Sequence, residues 1–375
     1  MFKRALSERI QNWLFQSKVI LLFGARQVGK TTLCKNLIKN NPNSLYLLCE
    51  QIAVKNILET QNISTIKAFL GEAKLVVLDE AQVIPDIGKI IKLLHDTHPE
   101  IQLIATGSCS FELANRLNEP LTGRALQFML YPLGFHEMQS ALSSVDLQEA
   151  LPDCLRFGLY PGIYKESLAK RSELLINLSN QYLYKDLLIF ENIKNSQKIN
   201  QLLKLLALQL GNAVSIHELA TQLGLSRSTV ERFLDILEKM FIIIRLGSFS
   251  RNLRKELTKK AKYYFYDVGI RNALLNAFAP LDARNDIGAL WENFAILERL
   301  KFMHNRGQQP NCYFWRTHDR QEIDYLEESG DHLKGFECKW QNPKRYQVPS
   351  AFTEAYPQSP IELVHSLNWP ILFNA

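Results

Sequence analysis

Five short apolar runs alternate with helical patterns over the first 140 residues of the chain. Each run is mostly apolar and does not alternate with polar positions, which is typical of parallel strands that are covered on both faces. Strands that alternate with helices predict an α/β fold built on a parallel sheet. The predicted strands are residues 19–23, 45–49, 75–78, 101–105 and 126–131.

The pattern changes twice after the fifth run. Small and polar residues dominate 139–153, and the stretch 154–246 is then almost wholly helical in pattern. From residue 263 onward aromatic, strand-like runs return, with a helical pattern at 290–303 between them. We therefore predict three domains: an α/β domain at 1–140, a helical domain at 150–250 and an α+β domain at 260–375.

The composition is that of a globular protein with a sizeable core. Hydrophobic residues make up 46% of the 375 positions and charged residues 22%, which excludes a disordered, collagen-like or coiled-coil chain. The six cysteines are scattered without metal-ligand or redox spacing, so we expect the reduced thiols of a cytosolic protein. No apolar run reaches the roughly 18 residues that a membrane span needs, and no secretory signal is visible. We expect a cytoplasmic protein without a membrane partner.

Positive charge is concentrated in one segment. The chain has a formal net charge of +6, and residues 251–262 contain six basic residues and one acidic residue, a local charge of +5. Two interpretations are open: a solvated loop that aids solubility, or a surface for an anionic partner such as nucleic acid.

A complete phosphate-binding loop follows the first predicted strand. Residues 24–32 read GARQVGKTT and match the P-loop (Walker A) pattern, between a strand and an amphipathic helix as the motif requires. The glycines let backbone N–H groups surround phosphate oxygens, and the helix N-terminus adds partial positive charge. We expect Lys30 to reach the β- and γ-phosphates of ATP and the Thr31 hydroxyl to bind Mg²⁺. The predicted nucleotide-binding residues are Gly24, Ala25, Arg26, Gln27, Val28, Gly29, Lys30, Thr31 and Thr32.

A second acidic motif (Walker B) completes the predicted nucleotide site. The apolar run at 75–78 ends in Asp79 and Glu80, about 50 residues after the P-loop. Asp79 is placed to hold the Mg²⁺ shell, and Glu80 to orient and deprotonate an attacking water. A carboxylate in that second position is typical of hydrolases, so the motif predicts hydrolysis of a nucleoside triphosphate.

Two further groups are candidates for the same site. The strand at 101–105 runs into Thr106 and Ser108, whose hydroxyls suit sensing of the γ-phosphate or positioning of water; a Ser/Thr-rich turn is the alternative. Arg124 precedes the fifth strand and is the leading candidate for an arginine finger, acting in cis or in trans. The alternative for Arg124 is a surface ion pair, and Arg26 is a lesser candidate for the finger.

The motifs of the chain follow one another in the order GARQVGKTT, LVVLDEAQ, IATGS, LTGR, YPLGFHE and GLYPGIY, then a helix-turn-helix, then WRT, EIDYL and ECKW. This series resembles the bacterial and archaeal AAA+-type ATPases that join an N-terminal ATPase domain to a C-terminal region of uncharacterised function, and the resemblance covers about residues 4–340. It implies one strand between the Asp79 strand and the P-loop strand, and Glu80 as the catalytic base. The chain departs from many relatives at 158–161, where GLYP lacks a second glycine.

Residues 215–240 have the spacing of a helix-turn-helix, and an apolar run follows as in a winged variant. One interpretation places the second helix in a DNA major groove, with Arg227 and Arg232 on its exposed face. The other is an interdomain spacer or protein contact, because Glu231 and Asp235 share that face. If DNA binds, we expect further contacts with steep salt dependence from Arg251, Arg254, Lys255, Lys259, Lys260 and Lys262.

The C-terminal strands carry a possible second active site. Asp324 is followed after a dozen or so residues by Glu337 and Lys339, which share one strand face, and Glu292 lies on the preceding helix. This is the constellation of restriction-endonuclease-like nucleases, where carboxylates hold Mg²⁺ and a lysine helps to activate water. The alternative is an inert binding module on the same α+β fold.

These observations support three hypotheses of function. The first is an ATPase that couples its nucleotide state to DNA or partner binding by the C-terminal modules. The second is an ATP-dependent nuclease, and the third is a non-catalytic nucleotide switch that recruits protein partners or further copies of itself. We favour the first.

Overall fold

The computed structural model describes residues 2–39, 41–108, 121–189, 196–250, 261–317, 319, 321–330 and 332–374. The chain divides into two compact units: Met1–Leu133 with Lys239–Phe241, and Gly134–Glu238 with Ile242–Ala375. The three predicted domain boundaries stay predictions. Within the described residues, no helix combines the length and the apolar character that a membrane crossing needs.

The first unit is an α/β fold around a parallel sheet of five strands in the order β2-β3-β4-β1-β5. The prediction of a parallel α/β sheet is therefore confirmed, and β4 lies between β3 and β1 as the resemblance implies. Its elements are α1 (Ala5–Trp13), β1 (Val19–Phe23), α2 (Lys30–Lys39), β2 (Ser44–Leu48), α3 (Ile52–Glu59), α4 (Ile63–Leu70), β3 (Leu75–Asp79), α5 (Ile87–Thr97), β4 (Gln102–Gly107) and β5 (Ala125–Met129).

The uninterrupted apolar runs are explained by burial of the central strands. Every residue of β1, β3 and β4 is buried, so both faces of these strands need apolar side chains. Because all five strands are parallel, their carboxyl ends lie along one edge of the sheet. The segments that follow β1, β3 and β4 are thereby brought to the same edge.

From residue 134 onward the chain combines helices with a mixed sheet of seven strands in the order β12-β11-β10-β9-β7-β8-β6. Strands of the second and third predicted domains share this sheet, since β7 pairs in parallel with β9. The helices are α6 (Phe135–Met138), α7 (Ser144–Phe157), α8 (Pro161–Tyr164), α9 (Leu168–Ile189), α10 (Ser196–Leu208), α11 (Ile216–Leu223), α12 (Arg227–Lys239), α13 (Val268–Leu275), α14 (Ile287–Asn305) and α15 (Ser350–Ala355). The strands are β6 (Ala213–Val214), β7 (Ile243–Ser248), β8 (Ala261–Phe265), β9 (Asn311–Arg316), β10 (Glu322–Ser329), β11 (His332–Cys338) and β12 (Ile361–Val364).

Helix α14 is buried along most of its length within the second unit. It packs against β11 and against the short 3₁₀ helix Trp369–Phe373. Trp291, with no exposed surface, donates its indole N–H to the Val364 carbonyl at 3.2 Å. Arg299 donates from Nε and Nη2 to the two carboxylate oxygens of Glu327, at 2.8 Å each. This buried pair ties α14 to β10.

Candidate functional site

The P-loop occupies the turn between the carboxyl end of β1 and the start of α2 at Lys30. Two of its positions require glycine. Gly24 has φ +155°, and a Cβ there would collide with the Leu130 carbonyl oxygen; Gly29 has φ +102°. These backbone conformations are rarely adopted by residues with a side chain, so the glycines of the motif are dictated by the shape of the loop.

The rest of the loop presents both buried and accessible groups. Ala25 and Val28 are buried, Arg26 is half-buried, and Gln27 and Thr32 are exposed. The buried members anchor the loop on the sheet, which leaves the backbone N–H groups at the start of α2 for phosphate oxygens.

The Lys30 side chain is held at the mouth of this loop. Its ammonium donates to the carbonyl oxygens of Gly24 at 2.8 Å and Ala25 at 2.9 Å. Both acceptors belong to the loop itself, so the charge lies beside the backbone groups predicted to surround the phosphates. The predicted proximity of Lys30 to a phosphate chain is consistent with this placement.

Asp79 accepts hydrogen bonds from hydroxyl groups of three other segments. The Thr31 hydroxyl donates to its Oδ2 at 2.7 Å, Thr106 donates to Oδ1, and Tyr46 donates to Oδ2. Asp79 is 1% exposed, so this carboxylate is satisfied by protein donors alone. Burial and the bond to Asp79 raise the pKa of the Tyr46 phenol above its ordinary value, which keeps it a donor.

A carboxylate beside a threonine hydroxyl at the end of a P-loop is an all-oxygen donor set, the type that Mg²⁺ prefers. Thr31 and Asp79 therefore fit the cation that a P-loop ATPase uses. Tyr46 was missed from the sequence because its role depends on β2 lying next to β3. Nothing in the local pattern around Tyr46 indicates that neighbour.

Glu80 occupies a backbone conformation that is unusual for its residue type. Its φ of +55° lies in the left-handed region, although it is not a glycine. Its N–H donates to the Thr106 hydroxyl at 3.1 Å, and its carboxylate accepts from the Gln82 side-chain amide. Backbone strain of this kind persists where the surroundings enforce it and clusters at functional sites. The hydrogen bond from Gln82 orients the Glu80 carboxylate.

Ser108 lies in the same group, at the carboxyl end of β4. It is buried, and the Gln82 amide also lies 3.4 Å from its hydroxyl. Gln82 thus connects the predicted base on one strand with the predicted hydroxyl on the next. The sequence motif contains Gln82, but only the adjacency of β3 and β4 gives it a role.

Arg124 lies elsewhere on this unit. It directly precedes β5, and its carbonyl accepts the Val19 N–H at the amino end of β1. Because β1 and β5 are parallel, Arg124 is at the opposite edge of the sheet from the P-loop. Its Nε donates to Asp96 Oδ1 at 2.7 Å, with both side chains more than a third exposed. This is the surface ion pair that was the alternative, and within one chain Arg124 does not reach the P-loop.

We expect the Arg124→Ala variant to hydrolyse ATP within about twofold of the wild-type rate, because a finger that reached the transition state would contribute about 10³ or more. The measurement is steady-state turnover over a range of protein concentrations, with Asp96→Ala as the matched control from the same ion pair. A loss approaching 10³ that grows with protein concentration contradicts this expectation and assigns Arg124 a role in trans.

Arg4 contacts the P-loop, and no motif indicated it. Its guanidinium donates to the Val28 carbonyl at 2.8 Å and to the Tyr131 carbonyl at 2.6 Å. It therefore joins the phosphate-binding loop to the segment that leaves β5. Such a contact links residues more than a hundred positions apart and has no signature in local sequence.

In the second unit, the structure gathers the predicted nuclease residues. Lys339 lies 2.6 Å from Glu337 Oε1 and 3.9 Å from Asp324 Oδ2. Asp324 accepts the Cys338 N–H at 2.9 Å. Burial and the neighbouring Asp324 raise the pKa of the Glu337 carboxyl. The structure therefore brings Asp324, Glu337 and Lys339 together.

The same cluster contains a residue that the sequence assigned differently. Lys262 was predicted to contact DNA, but it is 1% exposed and its ammonium lies 2.9 Å from Glu292 and 2.5 Å from Glu322. An ammonium buried among carboxylates is not available to a DNA phosphate. The strand 261–265, AKYYF, is buried at every position, and this apolar and aromatic run is the signal that separates Lys262 from the basic segment before it.

The donor set of this cluster does not fit a divalent metal ion as it stands. Two ammonium groups, those of Lys262 and Lys339, lie within 4.0 Å of the four carboxylates Glu292, Glu322, Asp324 and Glu337. In the described part of the chain no three His, Cys, Asp or Glu side chains are arranged to hold a metal. We therefore derive no reaction step through a metal at this place.

The remaining predicted DNA contacts fall into two groups, one on α12 and one in the basic segment 251–260. Arg227 and Arg232 are exposed on α12, as are Glu231 and Asp235. The turn before α12 is built as expected: Gly224 has φ +62°, and Ser226 accepts the Thr229 N–H at 3.2 Å. The predicted contacts Arg251, Arg254, Lys255, Lys259 and Lys260 lie outside the described residues.

Family models match three consecutive segments of the chain. Residues 16–139 match an AAA domain, residues 148–281 match a domain of unknown function (DUF8612), and residues 287–367 match another domain of unknown function (DUF4143). The first match contains the P-loop, Asp79 and Glu80. This part of the chain is thus similar to AAA domains, while the other two matches assign no activity.

The chain is similar over most of its length to uncharacterised proteins of distant organisms. A protein of Mycobacterium tuberculosis is 28% identical over 344 residues, which cover 90% of this chain and 74% of the relative. A protein of Haemophilus influenzae is 24% identical over 348 residues, covering 86% and 83% respectively. Among solved structures, a Walker-type ATPase of Pyrococcus abyssi is similar in fold, with a TM-score of 0.52 and 16% identity over 73% of this chain and 96% of that one.

Proposed function

We propose that the chain is a Mg²⁺-dependent ATPase whose nucleotide state changes the binding of DNA or of a protein partner by its second unit. The observation that carries the hydrolytic part is the convergence of Thr31, Asp79 and Glu80 at the carboxyl edge of the sheet, beside Lys30. The AAA-domain match and the likeness to a Walker-type ATPase support it.

Each group has a separate task in this proposal. The P-loop N–H groups and Lys30 bind the phosphates, and Thr31 and Asp79 hold Mg²⁺, which neutralises charge on the phosphate oxygens when bound. Glu80, oriented by Gln82, accepts a proton from the attacking water. Ser108 lies beside Gln82 and completes the polar surface on which that water is positioned.

Coupling is supported by contacts between the P-loop and the segment that leads out of the first unit. The Leu130 N–H donates to the Phe23 carbonyl at 2.8 Å, and Arg4 bridges the Val28 and Tyr131 carbonyls. The chain passes from the first unit to the second immediately afterwards, at Leu133 and Gly134. We infer that these contacts transmit a change in P-loop conformation to the connecting segment.

The choice of DNA as partner rests on charge and on the helix-turn-helix pattern. Arg227 and Arg232 are exposed on α12, the second helix of that pattern, and the basic segment 251–260 follows β7 in sequence. Cationic groups of this kind bind phosphates with strong salt dependence. Protein partners or self-association are the alternative if DNA has no effect.

The test is steady-state ATP hydrolysis titrated with duplex DNA at low and moderate salt. We expect DNA to raise turnover, and the Arg227→Ala/Arg232→Ala variant to need more DNA for the same effect. Each lost phosphate contact lowers the salt slope by about one. The matched control, Lys55→Ala/Lys89→Ala, removes the same charge from exposed positions of the first unit.

Turnover that is flat across DNA concentrations contradicts the DNA part of the proposal and directs attention to protein partners. Tight nucleotide binding without turnover contradicts the hydrolytic part and favours the nucleotide switch. The nuclease hypothesis requires Mg²⁺-dependent nicking of DNA that Asp324→Ala abolishes. Nicking that persists in that variant contradicts a catalytic role for Asp324.

A further inference from the structure

The carboxylate cluster of the second unit is built around a lysine. Lys262, on β8, lies 2.9 Å from Glu292 on α14, 2.5 Å from Glu322 and 3.7 Å from Asp324, both on β10. Three carboxylates from two different elements therefore converge on one ammonium. Convergence of acidic oxygens from separate elements is how proteins usually surround a metal cation.

The position of the ammonium is fixed by its other neighbours. The Tyr264 hydroxyl, two residues along the same strand, donates to the Glu292 oxygen that Lys262 contacts, at 2.5 Å. The Phe314 ring on β9 lies 5.5 Å from the Lys262 nitrogen. With 1% of the side chain exposed, Lys262 has little room for another orientation.

The charge state of the lysine is consistent with this arrangement. Burial alone lowers the pKa of a lysine, but the Glu292, Asp324 and Glu322 carboxylates outweigh it and leave the pKa of Lys262 above its usual range. The amine is thus a permanent cation within the cluster. A buried ammonium with three carboxylate neighbours is a compensated charge. Removing it leaves Glu292 without a cation, while Glu322 keeps Arg316 and Asp324 keeps Lys339 as ion-pair partners.

We propose that Lys262 is the resident cation of this cluster: its ammonium takes the place that a divalent metal ion has among nuclease carboxylates, and the cluster is a metal-free ionic lock that joins β8 to α14 and β10. The second unit then acts as a binding module. The ammonium groups of Lys262 and Lys339 lie 3.7 Å and 3.9 Å from the Asp324 carboxylate, so a divalent ion that bound Asp324 would be repelled by both.

The proposal is tested by Mn²⁺ binding to the full-length chain without nucleotide, with Asp79→Asn in every sample to remove the P-loop site. The parent chain, which keeps Lys262, is expected to show no calorimetric binding of Mn²⁺ at the cluster. Lys262→Ala opens space and removes the cation that Glu292, Glu322 and Asp324 share, so we expect it to bind Mn²⁺ at least about tenfold more tightly than the parent. Its melting temperature, lowered by the substitution, is expected to rise when Mn²⁺ is added.

Lys334→Ala is the matched control, because it removes the same charge from β11, where Lys334 pairs with Glu362 away from the cluster. It is expected to gain no Mn²⁺ affinity. Lys262→Arg, which keeps a cation, is also expected to gain none. Mn²⁺ binding to the parent that Asp324→Asn abolishes overturns the proposal, and this measurement does not depend on the folding of any Lys262 variant. A folded Lys262→Ala chain without Mn²⁺ affinity overturns it as well.

Discussion

The Glu80→Gln variant is expected to hydrolyse ATP about 10²- to 10⁴-fold more slowly than the wild type, the usual contribution of a positioned general base. The amide cannot accept the proton of the attacking water, yet it keeps the size of the carboxylate. The hydrogen bonds given for Glu80 are with Thr106 and Gln82, outside the P-loop, so ATP affinity is expected to change by no more than about threefold. The variant therefore separates hydrolysis from binding.

Two measurements check this expectation: steady-state turnover, and ATP binding by a fluorescent analogue or calorimetry. The matched control is Glu59→Gln, which removes the same charge from α3 at a surface position that pairs with Lys55. Wild-type turnover in Glu80→Gln would show that another group takes the proton. A parallel loss of turnover and ATP affinity would point to collapse of the strained turn at Glu80 and contradict the separation of roles.

The Arg299→Met variant is expected to lower the free energy of unfolding of the second unit by about 3–5 kcal/mol, the typical cost of removing one member of a buried ion pair. Arg299 is 2% exposed and Glu327 5%, and they are joined by two hydrogen bonds of 2.8 Å. Arg299 also donates to the Leu372 carbonyl at 3.0 Å. Methionine keeps much of the volume but leaves the Glu327 charge buried and unpaired.

Urea unfolding followed by circular dichroism measures this loss. Lys334→Met is the matched control, since its pair with Glu362 is partly exposed, and such pairs contribute about 1 kcal/mol or less. The double variant Arg299→Met/Glu327→Leu is expected to recover most of the lost stability, because both charges leave the interior together. An Arg299→Met chain as stable as the Lys334→Met control would contradict a structural role for the pair.

The candidate nucleotide site could be recognised from sequence because its parts are local motifs at the ends of apolar runs. The P-loop, Asp79 and Glu80 each follow a buried strand, and parallel strands bring such positions to one edge. Tyr46 and Arg4 could not be predicted, because their contacts depend on which strand lies beside which and on how the chain returns to the P-loop. Contacts between distant segments leave no periodic signal.

The same topology explains the placement of Arg124. A residue that precedes a parallel strand lies at the amino edge of the sheet, opposite the P-loop, and the predicted parallel order already implied this. Lys262 illustrates the opposite difficulty. Its membership in a basic run favoured an exposed role, whereas the aromatic residues that follow place it in a buried strand. A run of basic residues therefore indicates exposure only at positions that do not also belong to an apolar strand pattern.

We propose that this chain hydrolyses ATP at the site of Lys30, Asp79 and Glu80 with Mg²⁺ bound. The most direct measurement is steady-state phosphate release from ATP by the wild type and by Lys30→Ala, each with Mg²⁺ and with excess chelator. We predict turnover in the wild type with Mg²⁺ alone, and background release in the other three samples, with Lys30→Ala folded by circular dichroism. Equal Mg²⁺-dependent turnover in the wild type and Lys30→Ala would contradict hydrolysis at this site.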